Sequence, residues 1–171
     1  MATIANRGTM IMIQIKEIRA TELNNCLFII NSSFATIANE FGLTEQNCPM
    51  NPAFMKIDIL QNRYDKGYLM FGLYERGQLV GYVSLSKEEE NVIELHNLAV
   101  LPEYRHKGYG KQLLDFSKTK AKELYCNKVK IDIIEENTIL KNWYLKNGFT
   151  HMFIRNFDYL PFTVGFMECI L

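Results

Sequence analysis

The chain predicts an α/β domain of the α+β type, in which a mixed sheet carries helices on both faces. Two observations carry this. Residues 68–74 and 79–85 are rich in aromatic and aliphatic side chains and flank Glu75-Arg76-Gly77-Gln78, the composition of two antiparallel strands joined by a turn. Further on, residues 92–100 and 129–134 read as strands with a helical pattern between them, and strand, helix, strand in that order suggests a parallel crossover. A hairpin and a crossover together set a mixed sheet with helices on both faces.

Each element has its own signal. Ile11, Ile13 and Ile15 alternate with polar residues and predict a first strand, which ends at the polar boundary Arg19-Ala20-Thr21-Glu22. Cys26, Ile29, Ile30 and Phe34 then recur at helical spacing, with Thr21 as a plausible cap. Between 41 and 65, Gly42, Pro49 and Pro52 interrupt apolar residues, which predicts irregular chain broken by a short helix at 54–60. After the hairpin, the run Lys87-Glu88-Glu89-Glu90-Asn91 reads as a solvated turn, and no metal site is expected there or elsewhere. Leu113, Leu114, Ser117, Ala121, Leu124 and Tyr125 mark the apolar face of a helix whose other side carries lysines. Residues 138–147 are helical in pattern, Gly148 suits the position just past a helix end, and 149–154 and 164–171 supply the last two strands. Residues 1–10 are aperiodic, with Met10 and Met12 as alternative starts. They are expected to be a mobile or non-native extension, leaving 11–171 as one domain.

Composition narrows the function classes. At 171 residues the chain fits one domain with a proper core. Lysine plus arginine equals aspartate plus glutamate, so no global field attracts nucleic acid, and Asp115 and Glu123 interrupt the lysine-rich segment 111–130. Cys26, Cys48, Cys126 and Cys169 lack the spacing of a zinc site or a disulfide scaffold and read as reduced, mostly buried thiols. With no apolar run near the roughly 20 residues that span a bilayer, and no secretory leader pattern, a cytoplasmic protein without membrane or nucleic-acid partners is expected.

The most informative stretch is 98–114, where an apolar run stops at Pro102 and a basic loop with Gly108 and Gly110 opens a helix. Free amides at a helix N-terminus, the positive end of its dipole and glycines without Cβ let a backbone close around a phosphate or pyrophosphate. A dinucleotide fingerprint would need a small residue where Leu113 stands. A Walker loop would need Ser or Thr after Gly110-Lys111 and a glycine where Arg105 stands.

The order Arg-x-x-Gly-x-Gly at 105–110, preceded by Leu-Ala-Val-x-Pro at 98–102, resembles the acetyl-coenzyme A loop of the GNAT superfamily of N-acetyltransferases. Asn137, followed by Tyr144 and then Gly148-Phe149, is similar to that family's second motif, and both motifs occur here in the family's order. The resemblance implies a mostly antiparallel sheet of about seven strands and transfer of acetyl from acetyl-CoA to an amine of a small molecule, protein or peptide in a direct ternary complex. It equally accommodates a non-catalytic acyl-CoA sensor. It implies that the amides of Arg105, His106, Lys107, Gly108, Tyr109 and Gly110 hold the pyrophosphate. The side chains of Arg105, Lys107 and Lys111 would either assist or stay solvated. The backbone of Leu98, Ala99 and Val100 would bond the pantetheine arm as a strand would, and Asn137 would bond it from the other side.

Tyr144 matches the tyrosine that protonates the departing thiolate, although a tyrosine at this place also serves to pack the helix on the sheet. For the general base, Glu94 comes first, because histone-type members place a glutamate there and alternation puts Glu94, His96, Leu98 and Val100 on one strand face. Asp132 corresponds to a glutamate of ribosomal-protein-type members. His96 titrates near neutrality, but a lone strand histidine is more often a structural hydrogen-bonder. Acceptor specificity is assigned to 41–65 and 156–163, with Tyr64, Tyr68, Phe157, Tyr159 and Pro161 as wall candidates, and a homodimer through 164–171 is allowed.

Overall fold

The computed structural model describes residues 12–171, so the expectations for 1–10 and for Ile11 lie outside the described residues. The strands are β1 (Ile13–Glu17), β2 (Leu69–Glu75), β3 (Gln78–Glu89), β4 (Val92–Val100), β5 (Lys128–Ile134), β6 (Thr150–Asn156) and β7 (Thr163–Ile170). They form one seven-stranded sheet in the order β1-β2-β3-β4-β5-β7-β6. Its one parallel pair is β4 with β5, and every other neighbouring pair is antiparallel. The predicted hairpin and crossover are both present.

The helices are α1 (Leu23–Glu40), α2 (Ile57–Asp65), α3 (Tyr109–Glu123) and α4 (Thr138–Lys146). On α1 the buried residues Leu23, Cys26, Ile29, Ile30 and Ser33 fall at helical spacing, and they meet Tyr74, Tyr82, Ala99 and Leu101 on one sheet face. α3 presents Leu113, Leu114 and Ala121 to the opposite face. There they join Ile93, Leu95, Val129, Ile131 and Ile133, with Tyr144 of α4 and Phe149 in the same core. A third, smaller core joins Ala38, Leu43 and Cys48 to Leu160 and Phe162, so the two segments expected to set acceptor specificity pack together beside Ile134.

Several local expectations are corrected. Thr21 does not cap α1: a 3-10 turn at Ala20–Glu22 leads into the helix, whose first residue follows Glu22 without a side-chain cap. The short helix expected at 54–60 is split, with a 3-10 turn at Pro52–Phe54 capped by Asn51 and then α2 running to Asp65. Strand β3 continues through Lys87 to Glu89, where the ladder with β4 pairs Lys87 with Ile93 and Glu89 with Val92, so only Glu90 and Asn91 of the acidic run form the turn. Tyr125 is exposed rather than in the core, since the chain leaves α3 there in the left-handed region (φ 59°). All four cysteines are free and buried. No helix of the described residues is long and apolar enough to cross a membrane.

Candidate active site

The geometry of the centre of the molecule follows from one irregularity in β4. Between the pairs Ser84↔His96 and Tyr82↔Ala99, three steps along β4 answer two along β3, and Asn97 takes up the extra residue in the left-handed region at φ 52°. Such a bulge reverses which residues face which side. Ile93 and Leu95 before it and Leu98 and Val100 after it all turn toward α3, whereas Ala99 and Leu101 face α1. The expectation that Glu94, His96, Leu98 and Val100 share one face is therefore corrected, since simple alternation does not survive an inserted residue. Beyond the bulge β4 also loses its parallel neighbour. β5 pairs with it only at Val92, Ile93 and Glu94, so from Leu95 to Val100 one edge of β4 has no ladder with β5. The sheet opens there as a wedge.

The loop from β4 to α3 closes the wide end of that wedge. A 3-10 turn at Pro102–Tyr104 is followed by His106 (φ 60°) and Gly108 (φ 80°), and the first bond closing into α3 runs from the Gln112 N–H to the Gly108 carbonyl at 3.0 Å. The amides of Tyr109, Gly110 and Lys111 precede that bond, no side chain caps the helix, and its first turn holds no acid. The positive end of the dipole is thus left without a protein counter-charge. Packing does not demand glycine at 110, where an added Cβ would meet only the Trp143 ring at 3.8 Å. Position 108 does require glycine's freedom, because a positive φ is costly for a residue with a Cβ.

Four side chains of this stretch, those of Arg105, Lys107, Tyr109 and Lys111, are engaged within the protein. Arg105 donates to the Ser33 carbonyl (2.8 Å), Thr36 Oγ1 (3.0 Å) and the Val100 carbonyl (3.3 Å), tying the loop to α1 and to the end of β4. Lys107 pairs with Glu75 at 3.2 Å, the Tyr109 hydroxyl donates to the same carboxylate, and Lys111 pairs with Asp115. The Tyr109 hydrogen bond, assisted by Lys107, holds the Glu75 carboxyl below its ordinary range despite partial burial.

Across the wedge, Asn137 caps α4, its Oδ1 accepting from the Leu140 N–H at 3.0 Å. Tyr144 is buried against Trp143 and Phe149. Burial first, and then the charge of Asp132, push its phenol well above the usual tyrosine range. Asp132 itself opens on the other side of β5, in a cavity of about 310 Å³ lined by Glu94, Lys130, Asp132, Met152, Phe153 and Phe166 among others. It is reached by solvent, yet protein atoms crowd it, and that desolvation raises its carboxyl above the ordinary range. His96 is not among the residues lining this cavity; its Nε2 is 2.8 Å from Ser86 Oγ and its ring stacks on Tyr68.

The structure brings Asp132 and Glu94 together in one cavity and sets Tyr144 within the field of Asp132. The expected wall residues are not among those lining this cavity: Tyr68 stacks on His96, and Tyr159 is exposed beside Phe157. The rings at the cavity are Phe153 and Phe166, stacked 4.6 Å apart. They come from strands whose sequence signals only sheet, so nothing local marked them. The Asn97 bulge was equally unmarked, apart from asparagine's tolerance of the left-handed region.

Comparisons with known proteins agree with this geometry. The family model described as acetyltransferase (GNAT) family matches residues 35–149. An uncharacterised N-acetyltransferase of Lactobacillus delbrueckii subsp. lactis is 27% identical over 140 residues, covering 72% of this chain and 80% of that protein. The ribosomal-protein-alanine N-acetyltransferase of Brucella melitensis has the same fold with a TM-score of 0.71 at 21% identity, over 92% of this chain and 99% of the other. The PaiA N-acetyltransferase of Thermoplasma acidophilum, solved in complex with coenzyme A, superposes with a TM-score of 0.70 at 20% identity, over 93% and 99% of the two chains. A family match across more than half of the sequence, on a sheet that parts where both motifs meet, establishes that the chain belongs to the GNAT family of acetyltransferases.

Proposed function

We propose that this chain transfers the acetyl group of acetyl-CoA to a primary amine of a small molecule or of a protein, in a direct ternary complex. The observation that carries the proposal is the parting of β4 and β5 toward a helix N-terminus that has neither acid nor cap. The amides from Arg105 to Gly110 would hold the pyrophosphate. The freed edge of β4 at Leu98, Ala99 and Val100 would bond the pantetheine arm. Asn137, whose Oδ1 is committed to its helix, would donate from Nδ2 on the far side. Acetyl-CoA supplies an activated thioester, and the protein supplies the proton traffic.

An alkyl amine is almost wholly protonated at neutral pH and must lose a proton to become a nucleophile. We assign that proton to Asp132, whose crowding strengthens its affinity for one, with Glu94 in the same cavity as the next candidate. His96, held by Ser86 and Tyr68, ranks behind both. As the carbon–nitrogen bond forms and the carbon–sulfur bond breaks, Tyr144 would give its phenolic proton to the leaving sulfur. Its raised pKa keeps that proton in place at neutral pH.

Calorimetry with acetyl-CoA, followed by assays of acetyl transfer to a panel of amines, tests this reading. Uptake with transfer is expected; uptake without transfer to any amine would mark an acyl-CoA sensor instead. A second copy of the chain is the proposed partner of β6, which is the last strand of the sheet and exposes Met152, Phe153 and Ile154. Sedimentation should find a dimer. The cytoplasm is the proposed location, since the four free thiols suit a reducing compartment.

A further inference from the structure

The β4 bulge puts Asn97 in a left-handed conformation that is rare inside a strand, and a residue of α2 meets it there. Asn97 is one of few non-glycine residues with a positive φ among those described, and it lies inside a strand rather than at a turn. A left-handed residue within a strand persists only when its surroundings over-determine it. Those surroundings are specific. Arg63, in the last turn of α2, donates from Nη1 to Asn97 Oδ1 at 2.5 Å across a half-buried interface. Its guanidinium lies over the Tyr68 ring, 5.9 Å from the centroid, and Tyr68 stacks on His96 at 5.4 Å. The Tyr68 N–H in turn bonds the Arg63 carbonyl at 3.1 Å, so the helix end and its exit form one unit. Asn97 and its neighbour His96 are therefore held by Arg63 of α2 and by Tyr68 just beyond it.

We infer that Arg63 is a positioning residue for cofactor binding: by holding Asn97 left-handed it keeps β4 parted from β5, and so couples the acceptor-side helix α2 to the thioester cleft. The inference rests on the reading that acetyl-CoA binds along the freed edge of β4. Arg63 is not among the residues that line the cavity around Asp132, and its side-chain hydrogen bond goes to Asn97, so its route to the cleft runs through the bulge. An acceptor that presses on α2 would tighten or loosen the cofactor by the same connection, and by reciprocity the cofactor would alter acceptor affinity equally.

Three variants, Arg63→Met, Asn97→Ala and Asn97→Gly, together with the double variant Arg63→Met/Asn97→Gly, are titrated with acetyl-CoA by calorimetry. Losing the tie while a Cβ remains at 97 should weaken binding about tenfold in Arg63→Met and Asn97→Ala, the effect of roughly one strained backbone conformation. Glycine adopts a positive φ without help, so Asn97→Gly and the double variant should bind within about twofold of the unaltered chain. Rescue by glycine is the signature that a merely structural arginine would not give. Should Arg63→Met fail to fold, the alanine and glycine variants at 97 decide alone. Equal affinity for those two, or failure of glycine to restore the double variant, overturns the inference. Absence of acetyl-CoA uptake by the unaltered chain would instead overturn the cofactor reading.

Discussion

The two sides of the wedge are built from different material. On the proposed cofactor side, the loop from β4 into α3 offers backbone amides, while Arg105, Lys107, Tyr109 and Lys111 bond other protein atoms. On the proposed acceptor side, the cavity is made of side chains, carboxylates at Glu94 and Asp132 against Phe153 and Phe166, drawn from separate strands. Main-chain recognition needs only the correct backbone path, and so it tolerates change in most side chains. Side-chain recognition is rewritten by each substitution, which lets one fold serve many acceptors.

The sharpest way to break this contrast is on the acceptor side. Asp132→Asn should lower kcat/KM about a hundredfold or more, in the range of general-base catalysis, and abolish the acidic limb of its pH profile. The same variant should be more thermostable. A carboxyl whose folded pKa is raised costs the fold stability as pH climbs past its unfolded value near 3.9, so asparagine should raise Tm at pH 7 and make no difference at pH 3. A variant that stays active with an unchanged pH profile would pass the role to Glu94.

Next in size, Tyr144→Phe should reduce kcat about tenfold to a hundredfold while leaving the Kd for acetyl-CoA unchanged, because the hydroxyl acts on the leaving group rather than in binding. Equal losses in both would mean that the ring merely packs α4. On the backbone side, Gly108→Ala should weaken acetyl-CoA about tenfold and cost roughly 1 to 2 kcal/mol, since alanine resists φ 80°. Retained affinity there would contradict the main-chain reading.

The smallest effect is expected at Glu75, which pins the loop through Tyr109 and Lys107. Its folded pKa is depressed, so its contribution is present above the unfolded value near 4.3 and is lost as pH falls through the folded one. Glu75→Gln should lower Tm slightly at pH 7, and its difference from the unaltered chain should shrink as pH falls below the unfolded value, as a series of thermal melts would reveal.

Much of this was legible in the residues themselves. Period-two patterns at Ile13 and Ile15, in the hairpin and across 129–133, and helical spacing at Cys26, Ile29 and Ile30, report burial on one face, which is a local property of the chain. Pro102, Gly108 and Gly148 mark where strand and helix must stop, because they restrict or free φ on their own account. The phosphate-type loop was readable for the same reason: glycines and the absence of an acid in the first turn of α3 act within a few residues of one another.

Other features had no local signature. Which face Glu94 and His96 occupy depends on a bulge at Asn97, and that bulge meets Arg63 of another element in a hydrogen bond that no local pattern announces. Asp132, Phe153 and Phe166 became one cavity only when β5, β6 and β7 paired in register. Pattern and turn chemistry fix where the chain turns and what it buries. Long-range pairing alone fixes which distant side chains meet, and so it decides the cavity around Asp132.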